Sequence, residues 1–146
     1  MYLTVCGVNY QDTPIAIREH LAVANKDLLA TLKNLQVSDW VNEVYLLSTC
    51  NRTEIYIISS QDTEVAILKW ISKHWHLEID IANYMYTHKD QLALAHLLRV
   101  ASGLESMMQG ETQILGQIKS AYAIASEAGS IGKYLNLILQ HTIRTA

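Results

Sequence analysis

Apolar and polar positions alternate with period two at the start of the chain, where Leu3 and Val5 interleave with Tyr2 and Thr4 ahead of Gly7, and this predicts a first strand over residues 2 to 8. A polar stretch, 9 to 13, closes it. Thr13 before Pro14 predicts a helix start, because the hydroxyl can accept an unpaired amide proton and proline suits a position that needs no donor; a short helix then reaches about Leu21. After Asn25, read as a cap, Leu28, Leu29, Leu32 and Leu35 recur at helical spacing and predict an amphipathic helix over 26–36. Residues 42–49 and 54–59 are rich in β-branched and aromatic side chains, with only Cys50, Asn51, Arg52 and Thr53 between them. The pattern predicts a hairpin with Cys50 at its tip. A helix is expected over 64–74, with Val65, Leu68 and Ile71 inward, and a fourth extended segment over 82–88. The order βα(α)ββαβ is that of an α+β, ferredoxin-like split βαβ sheet with helices packed on one face.

The second half is helical. Leu92, His96 and Val100 lie one turn apart, a glycine-containing joint follows, and Ile114, Leu115, Ile118, Ala121, Tyr122 and Ala125 form a stripe. A last helix from about Lys133 carries Leu135, Ile138, Leu139 and Ile143 nearly to Ala146 with no glycine cap or polar tail, so the chain is expected to stop within a linker helix. Residues 1–146, with neither repeat nor low-complexity stretch, read as a single domain.

Composition narrows the function classes. Apolar runs such as 44–47 fall far short of the roughly 20 residues a membrane span needs, and residues 1–9 lack a basic leader, so a cytoplasmic protein without a membrane partner is expected. A net charge of −3 with 11 Lys+Arg gives no strongly basic face for nucleic acid. Cys6 and Cys50 show no CxxC spacing and read as free thiols, with no metal site. The glycines make no GxGxxG fingerprint, so no dinucleotide site is expected in this chain.

The segment Ser48-Thr49-Cys50-Asn51-Arg52-Thr53-Glu54 concentrates a soft nucleophile, a cation and hydrogen-bonding groups at a strand-to-strand turn. Arg52 could lower the Cys50 pKa, favouring the attacking thiolate, or grip a substrate carboxylate with its planar fork. Equally, Cys50 could be a half-buried hydrophobe and Arg52 a solvated turn residue. Cys6, mid-strand among apolar neighbours, reads as packing. His96 on the apolar side of its helix is either a hydrogen-bonded core residue or, if it reaches Cys50, a general acid/base. The polar joint 101–113 needs no more than a hinge, and Glu111 at a helix start is explained by the macrodipole. His74 and His76 read as surface residues.

Two segments, STCNRTE at 48–54 and HLLRVASGLESMMQGETQILGQIK at 96–119, together resemble glutamyl-tRNA reductase, as do Gly7-Val8-Asn9 and Thr13-Pro14-Ile15. The resemblance implies an N-terminal catalytic domain in which Cys50 attacks the ester of glutamyl-tRNA to form a thioester, which NADPH reduces to glutamate-1-semialdehyde for tetrapyrrole synthesis. It implies substrate contacts at Thr49, Arg52, Ser106, Glu111 and Gln113, with Asn51 beside them in the turn, and an assisting role for His96. On charge grounds Arg52 suits the glutamate carboxylate and Glu111 the α-ammonium. It further implies that NADPH binds a Rossmann domain absent from this chain, and that a missing helical domain makes the full-length protein a homodimer. Tyr10 and Thr112 depart from the histidine and proline usual in the family. Without a cofactor domain the chain is expected to acylate and hydrolyse activated glutamyl esters but not to reduce them. The rival readings are a noncatalytic ferredoxin-like binding module and a cysteine-dependent (thio)esterase using Cys50 and His96.

Overall fold

The computed structural model describes residues 1–104 and 113–146. Four strands, β1 (Tyr2–Asn9), β2 (Glu43–Ser48), β3 (Arg52–Ser59) and β4 (Tyr86–Lys89), form one sheet in the order β2-β3-β1-β4 with every neighbouring pair antiparallel. Helices α1 (Ile15–Leu21) and α2 (Asn25–Gln36) join β1 to β2, and α3 (Glu64–His74) with a 3₁₀ turn at Ile81–Tyr84 joins β3 to β4. This is the expected α+β split βαβ order. Helices α4 (Gln91–Ala101), α5 (Gln113–Ala128) and α6 (Lys133–Thr145) follow.

Residues directly opposite in antiparallel strands share a face, so the register sorts the sheet's side chains. Leu46, Ile55, Cys6 and Thr87 form one row, and Leu47, Glu54, Gly7 and Tyr86 form the next, on the other face. Cys6 and Ile55 meet Leu21 of α1 and Ile71 of α3 around a small cavity. On the opposite face the Tyr45 hydroxyl donates to the Ile118 carbonyl of α5 at 3.0 Å, and His96 of α4 pairs with Glu54. The split-βαβ helices thus cover one face and the C-terminal helices the other. Strand β3 is accordingly buried at every position, which is why its sequence lacks a clean polar alternation.

Local chemistry shifts several boundaries from their expected places. The hairpin turn is only Thr49, Cys50 and Asn51, closed by the Thr49 amide on the Arg52 carbonyl at 2.8 Å and by the Asn51 amide on Thr49 Oγ1 at 3.1 Å. Arg52 and Thr53 are therefore strand residues. The segment expected as extended over 82–88 breaks in two, because Asp80 Oδ1 accepts from the Ala82 amide and starts the 3₁₀ turn ahead of β4. In α3 the buried stripe is Ile67 and Ile71 while Val65 is exposed, and in α4 Leu92 is exposed while Ala93, His96, Leu97 and Val100 turn inward. The Thr13 hydroxyl donates to the Tyr84 carbonyl, 71 residues on, and caps no helix; Asn25 lies inside α2.

Strand β2 is a sheet edge, and at Val44 its open side is occupied. The Val44 amide donates to the Ser130 carbonyl at 2.9 Å and Ser130 Oγ donates to the Val44 carbonyl at 2.8 Å, which pairs both of that residue's edge-facing groups. Next to it the buried Glu43 carboxylate accepts from the amides of Gly132 (2.6 Å), Leu135 (2.8 Å) and Tyr134 (3.1 Å), the unpaired donors of the first turn of α6. Glu43→Ala is expected to lower unfolding free energy by about 2 kcal/mol, and Glu43→Gln by less, as measured by denaturant titration. Equal losses for the two would show that the cap is not the source.

Candidate functional site

The turn between β2 and β3 is held from three sides. Ser48 Oγ and Thr53 Oγ1 share a hydrogen bond of 2.9 Å across its base, and the Val23 amide donates to Ser48 Oγ at 2.9 Å. From α1, Arg18 donates through Nη1 to the Cys50 carbonyl at 3.3 Å and through Nε to the Thr13 carbonyl at 3.1 Å. The backbone is fixed while the Cys50 side chain stays exposed, its Sγ facing Asn51 Oδ1 at 3.7 Å. Beside it lies a cavity of about 860 Å³ lined by Thr49, Cys50, Asn25 and, from α5, Gln113, Gln117 and Ser120. Thr49, Cys50 and Gln113 therefore come together across two elements distant in sequence. Ser106 and Glu111 lie outside the described residues. Cys6, by contrast, is buried, and burial pushes its thiol up to about 11.

Arg52 is not a solvated turn residue. Strand alternation carries it to the face covered by the C-terminal helices, where it is 2% exposed and its Nη1 lies 3.4 Å from Glu54 Oε2. Glu54, with no exposed surface, is the hub of this face. Its Oε1 accepts from the Tyr56 hydroxyl at 2.8 Å, and its Oε2 takes the Tyr86 hydroxyl and His96 Nε2 as well as Arg52. Burial alone would raise the Glu54 pKa, but the hydrogen bond and charge of His96, the Arg52 guanidinium and the Tyr86 hydroxyl hold it below its ordinary 4.5. The neighbouring phenols of Tyr56 and Tyr86 are pushed up by burial and by the Glu54 charge.

Gly7 makes room for this arrangement. A Cβ there would lie 2.8 Å from Glu54 Cγ and from the Thr53 carbonyl, and 3.1 Å from the Tyr86 hydroxyl. The His96 ring lies 4.9 Å from that of His88 and 5.3 Å from that of Tyr86. A second cavity, of about 300 Å³, is lined by His96 and His88 together with Asn9, Asp12, Tyr86 and Arg99. Among the described residues, Cys50 and His96 thus line different cavities. His74, expected at the surface, stacks on Trp70 at 4.5 Å, and among the described residues no His, Cys, Asp or Glu cluster could hold a metal ion.

Sequence reasoning passed over Arg18, Glu54, Tyr86 and His88. Arg18 and His88 gave no signal. Glu54 did: a carboxylate opening the apolar run Ile55 to Ile58, two residues from Arg52 and two from Tyr56, places three polar groups on one face of a strand.

A family model described as "Glutamyl-tRNAGlu reductase, N-terminal domain" matches residues 6–146. The chain belongs to that family. Curated relatives named glutamyl-tRNA reductase match along the whole chain, one from Nitrosococcus oceani at 44% identity and one from Marinobacter nauticus at 37%. The chain covers 35% and 34% of those two proteins, about a third of their length. A solved structure titled "Glutamyl-tRNA Reductase from Methanopyrus kandleri" superposes over 97% of this chain and 32% of that one, with a TM-score of 0.78 at 27% identity. In this glutamyl-tRNA reductase N-terminal domain the two resembling segments contribute Thr49, Cys50, Gln113 and Gln117 to the cavity beside Cys50, and Arg52, Glu54 and His96 to the Glu54 cluster.

Because Glu54 is held below its unfolded pKa, its contribution to stability is fully present above about pH 4.5 and is lost as pH falls through the lower folded value. Denaturant midpoints measured from pH 6 downward should therefore begin to fall near the unfolded carboxylate range, and Glu54→Gln should flatten that slope. An unchanged slope in the variant would mean that other carboxylates carry the acid lability.

Proposed function

We propose that this chain is the glutamate-capturing catalytic domain of an NADPH-dependent glutamyl-tRNA reductase. The observation that carries the reading is an exposed thiol on an immobilised turn, opening on a cavity it shares with Thr49 and Gln113. The Cys50 thiolate attacks the carbonyl carbon of the glutamyl ester, an S–C bond forms, the C–O bond to the tRNA ribose breaks, and the departing alkoxide takes up a proton. A thioester on Cys50 results. In this proposal Arg52 holds the glutamate carboxylate, Glu111 holds the α-ammonium, and Thr49, Asn51, Ser106 and Gln113 fix orientation.

The described residues do not fit a dinucleotide. The sheet is antiparallel throughout, without the parallel βαβ crevice and glycine-rich turn that cradle a pyrophosphate. NADPH is therefore assigned to a part of the protein outside this chain, and no step is traced through it. The proposed product is glutamate-1-semialdehyde, the proposed setting the cytoplasm, and the proposed full-length assembly a homodimer. No helix among the described residues is long and apolar enough to cross a membrane. A binding module would have no use for an exposed thiol on a fixed turn, and an esterase built on a Cys50–His96 dyad is disfavoured because the two line separate cavities.

Incubation with glutamyl-tRNA followed by intact mass spectrometry should show one hydroxylamine-labile acyl adduct, absent from Cys50→Ser and retained in Cys6→Ser. A wild-type chain that stays unmodified, or an adduct that survives in Cys50→Ser, would overturn the proposal.

A further inference from the structure

The cavity beside Cys50 is larger than a glutamyl group needs. Its volume of about 860 Å³ lies within the range that clefts offer to whole drug-sized ligands, roughly 300–1,000 Å³. Two contacts fix how it runs: the Val44 amide meets the Ser130 carbonyl just past α5, and the Tyr45 hydroxyl meets the Ile118 carbonyl within that helix. Strand β2 leads from Val44 toward Cys50, so the Gln113 end of α5 lies toward the turn and the Ala128 end away from it. Gly116, Gln117 and Ser120 follow along the cavity wall, the last about 10 Å beyond Gln113 at the α-helical rise. Asn25 and Leu28 of α2 complete the walls.

Every described residue lining this space is uncharged. A phosphate or carboxylate would find no cation among them, whereas three amides, Asn25, Gln113 and Gln117, and the Ser120 hydroxyl offer donors and acceptors together. Among the described residues, none of these four side chains is engaged in a hydrogen bond within the fold. The hydroxyls of Ser48 and Thr49 are, by contrast, already taken by Val23, Thr53 and Asn51. Gly116 is the second sign of a ligand. Glycine is the least favourable residue after proline inside a helix, and Gly116 lies within α5, yet a Cβ there would meet nothing within 4 Å. The packing of the fold does not require the missing side chain, and the space it leaves belongs to the cavity.

We propose that this stretch of the cavity is the leaving-group subsite for acyl transfer to Cys50, taking the 3′-terminal adenosine of the tRNA with Gly116 as its floor and Asn25, Gln117 and Ser120 as its hydrogen-bonding walls. The inference rests on the reading that Cys50 captures the glutamyl group of glutamyl-tRNA. The oxygen that departs in that step belongs to the terminal ribose, so a cavity that holds the scissile carbonyl must continue into space for the ribose and its base. Both are neutral at neutral pH and rich in donors and acceptors, which is the chemistry of these walls. The amides of Asn and Gln pair with adenine through its N6 donor and N7 acceptor, and unpaired RNA ends are read through such base edges. The tRNA phosphates, which call for cations, are left to surfaces outside this groove.

The test compares acylation of Cys50 by two donors, glutamyl-tRNA and the α-cyanomethyl ester of glutamate, which carries the same acyl group without a nucleoside. The readout is the ratio of kcat/KM for the tRNA to that for the small ester. Gly116→Leu, which fills the floor, should lower this ratio by about tenfold, and Gln117→Ala, which removes one neutral amide, by about fivefold. Adenosine titrated into the wild-type chain should shift the side-chain amide NMR signals of Asn25 and Gln117, assigned by Asn25→Ala and Gln117→Ala, more than cytidine does. Equal losses from both donors in the folded variants would overturn the proposal, because they would place Gly116 and Gln117 at the glutamyl group or at Cys50 itself. So would an unmoved ratio with unshifted amide signals. If Gly116→Leu fails to fold, Gln117→Ala at its half-buried position carries the comparison alone. A wild-type chain acylated by neither donor would instead overturn the capture reaction, and the adenosine shifts would remain separately readable.

Discussion

A carboxylate taken out of water loses several kcal/mol of solvation unless charges and hydrogen bonds replace it, and Glu54 meets that requirement with partners from three separate elements. Tyr56 and Arg52 come from its own strand, Tyr86 from the far edge of the sheet, and His96 from the first helix of the second layer. Reaching Tyr86 across the sheet means passing over β1, and only a residue without a side chain leaves space, which is the position Gly7 occupies in the register between Glu54 and Tyr86. The demand of one buried charge thus fixes the order β3-β1-β4, the identity of a residue on β1 and the docking of α4.

The same dependence explains which parts of the fold were legible in the sequence. The strand–helix order could be read because each element carries its own period, and of the four leucines spaced along α2 three (Leu28, Leu32, Leu35) are buried, with Thr31 rather than Leu29 completing the stripe. Hairpin and cysteine tip were legible too, because β-branched runs flank a short polar break. What could not be read was the direction of the polar residues within that break. The turn closes one pair earlier than the hydrophobicity suggests, through the Thr49–Arg52 backbone bond, and that shift moves Arg52 from solvent into the core. Val65 and Leu92 were misplaced for a related reason: when several apolar residues share a helix, the neighbouring layer selects the stripe, as it does for Ile67 and Ile71.

For the candidate site, local sequence marked the thiol and the guanidinium, while the groups that hold them came from afar. Arg18 ties the turn from 32 residues away and His96 reaches Glu54 over 42. Such pairings leave no periodic trace. The contrast between the two thiols shows how placement matters: Cys6 sits among Val5, Gly7 and Val8 in a strand, Cys50 between Thr49 and Asn51 in a turn. Cys6 lies mid-strand in the layer of α1 and α3, where burial favours the neutral thiol, whereas Cys50 stands clear of both layers.

Strand β3 therefore joins two environments with opposite needs. At its start the chain leaves the sheet and exposes the Cys50 sulfur, and within a few residues it is buried deeply enough for a carboxylate to hold its partners without water competing for them. A strand meets both needs because its period of two sets Arg52, Glu54 and Tyr56 on one buried face, while Cys50, two residues before Arg52, lies in the turn outside the strand. A helix would have set residues 50, 52 and 54 on diverging sides of one cylinder. Placing the thiol on the turn and the charge cluster on the strand behind it lets the rigid sheet bear the cost of burying the charges, so that the turn end remains exposed to solvent.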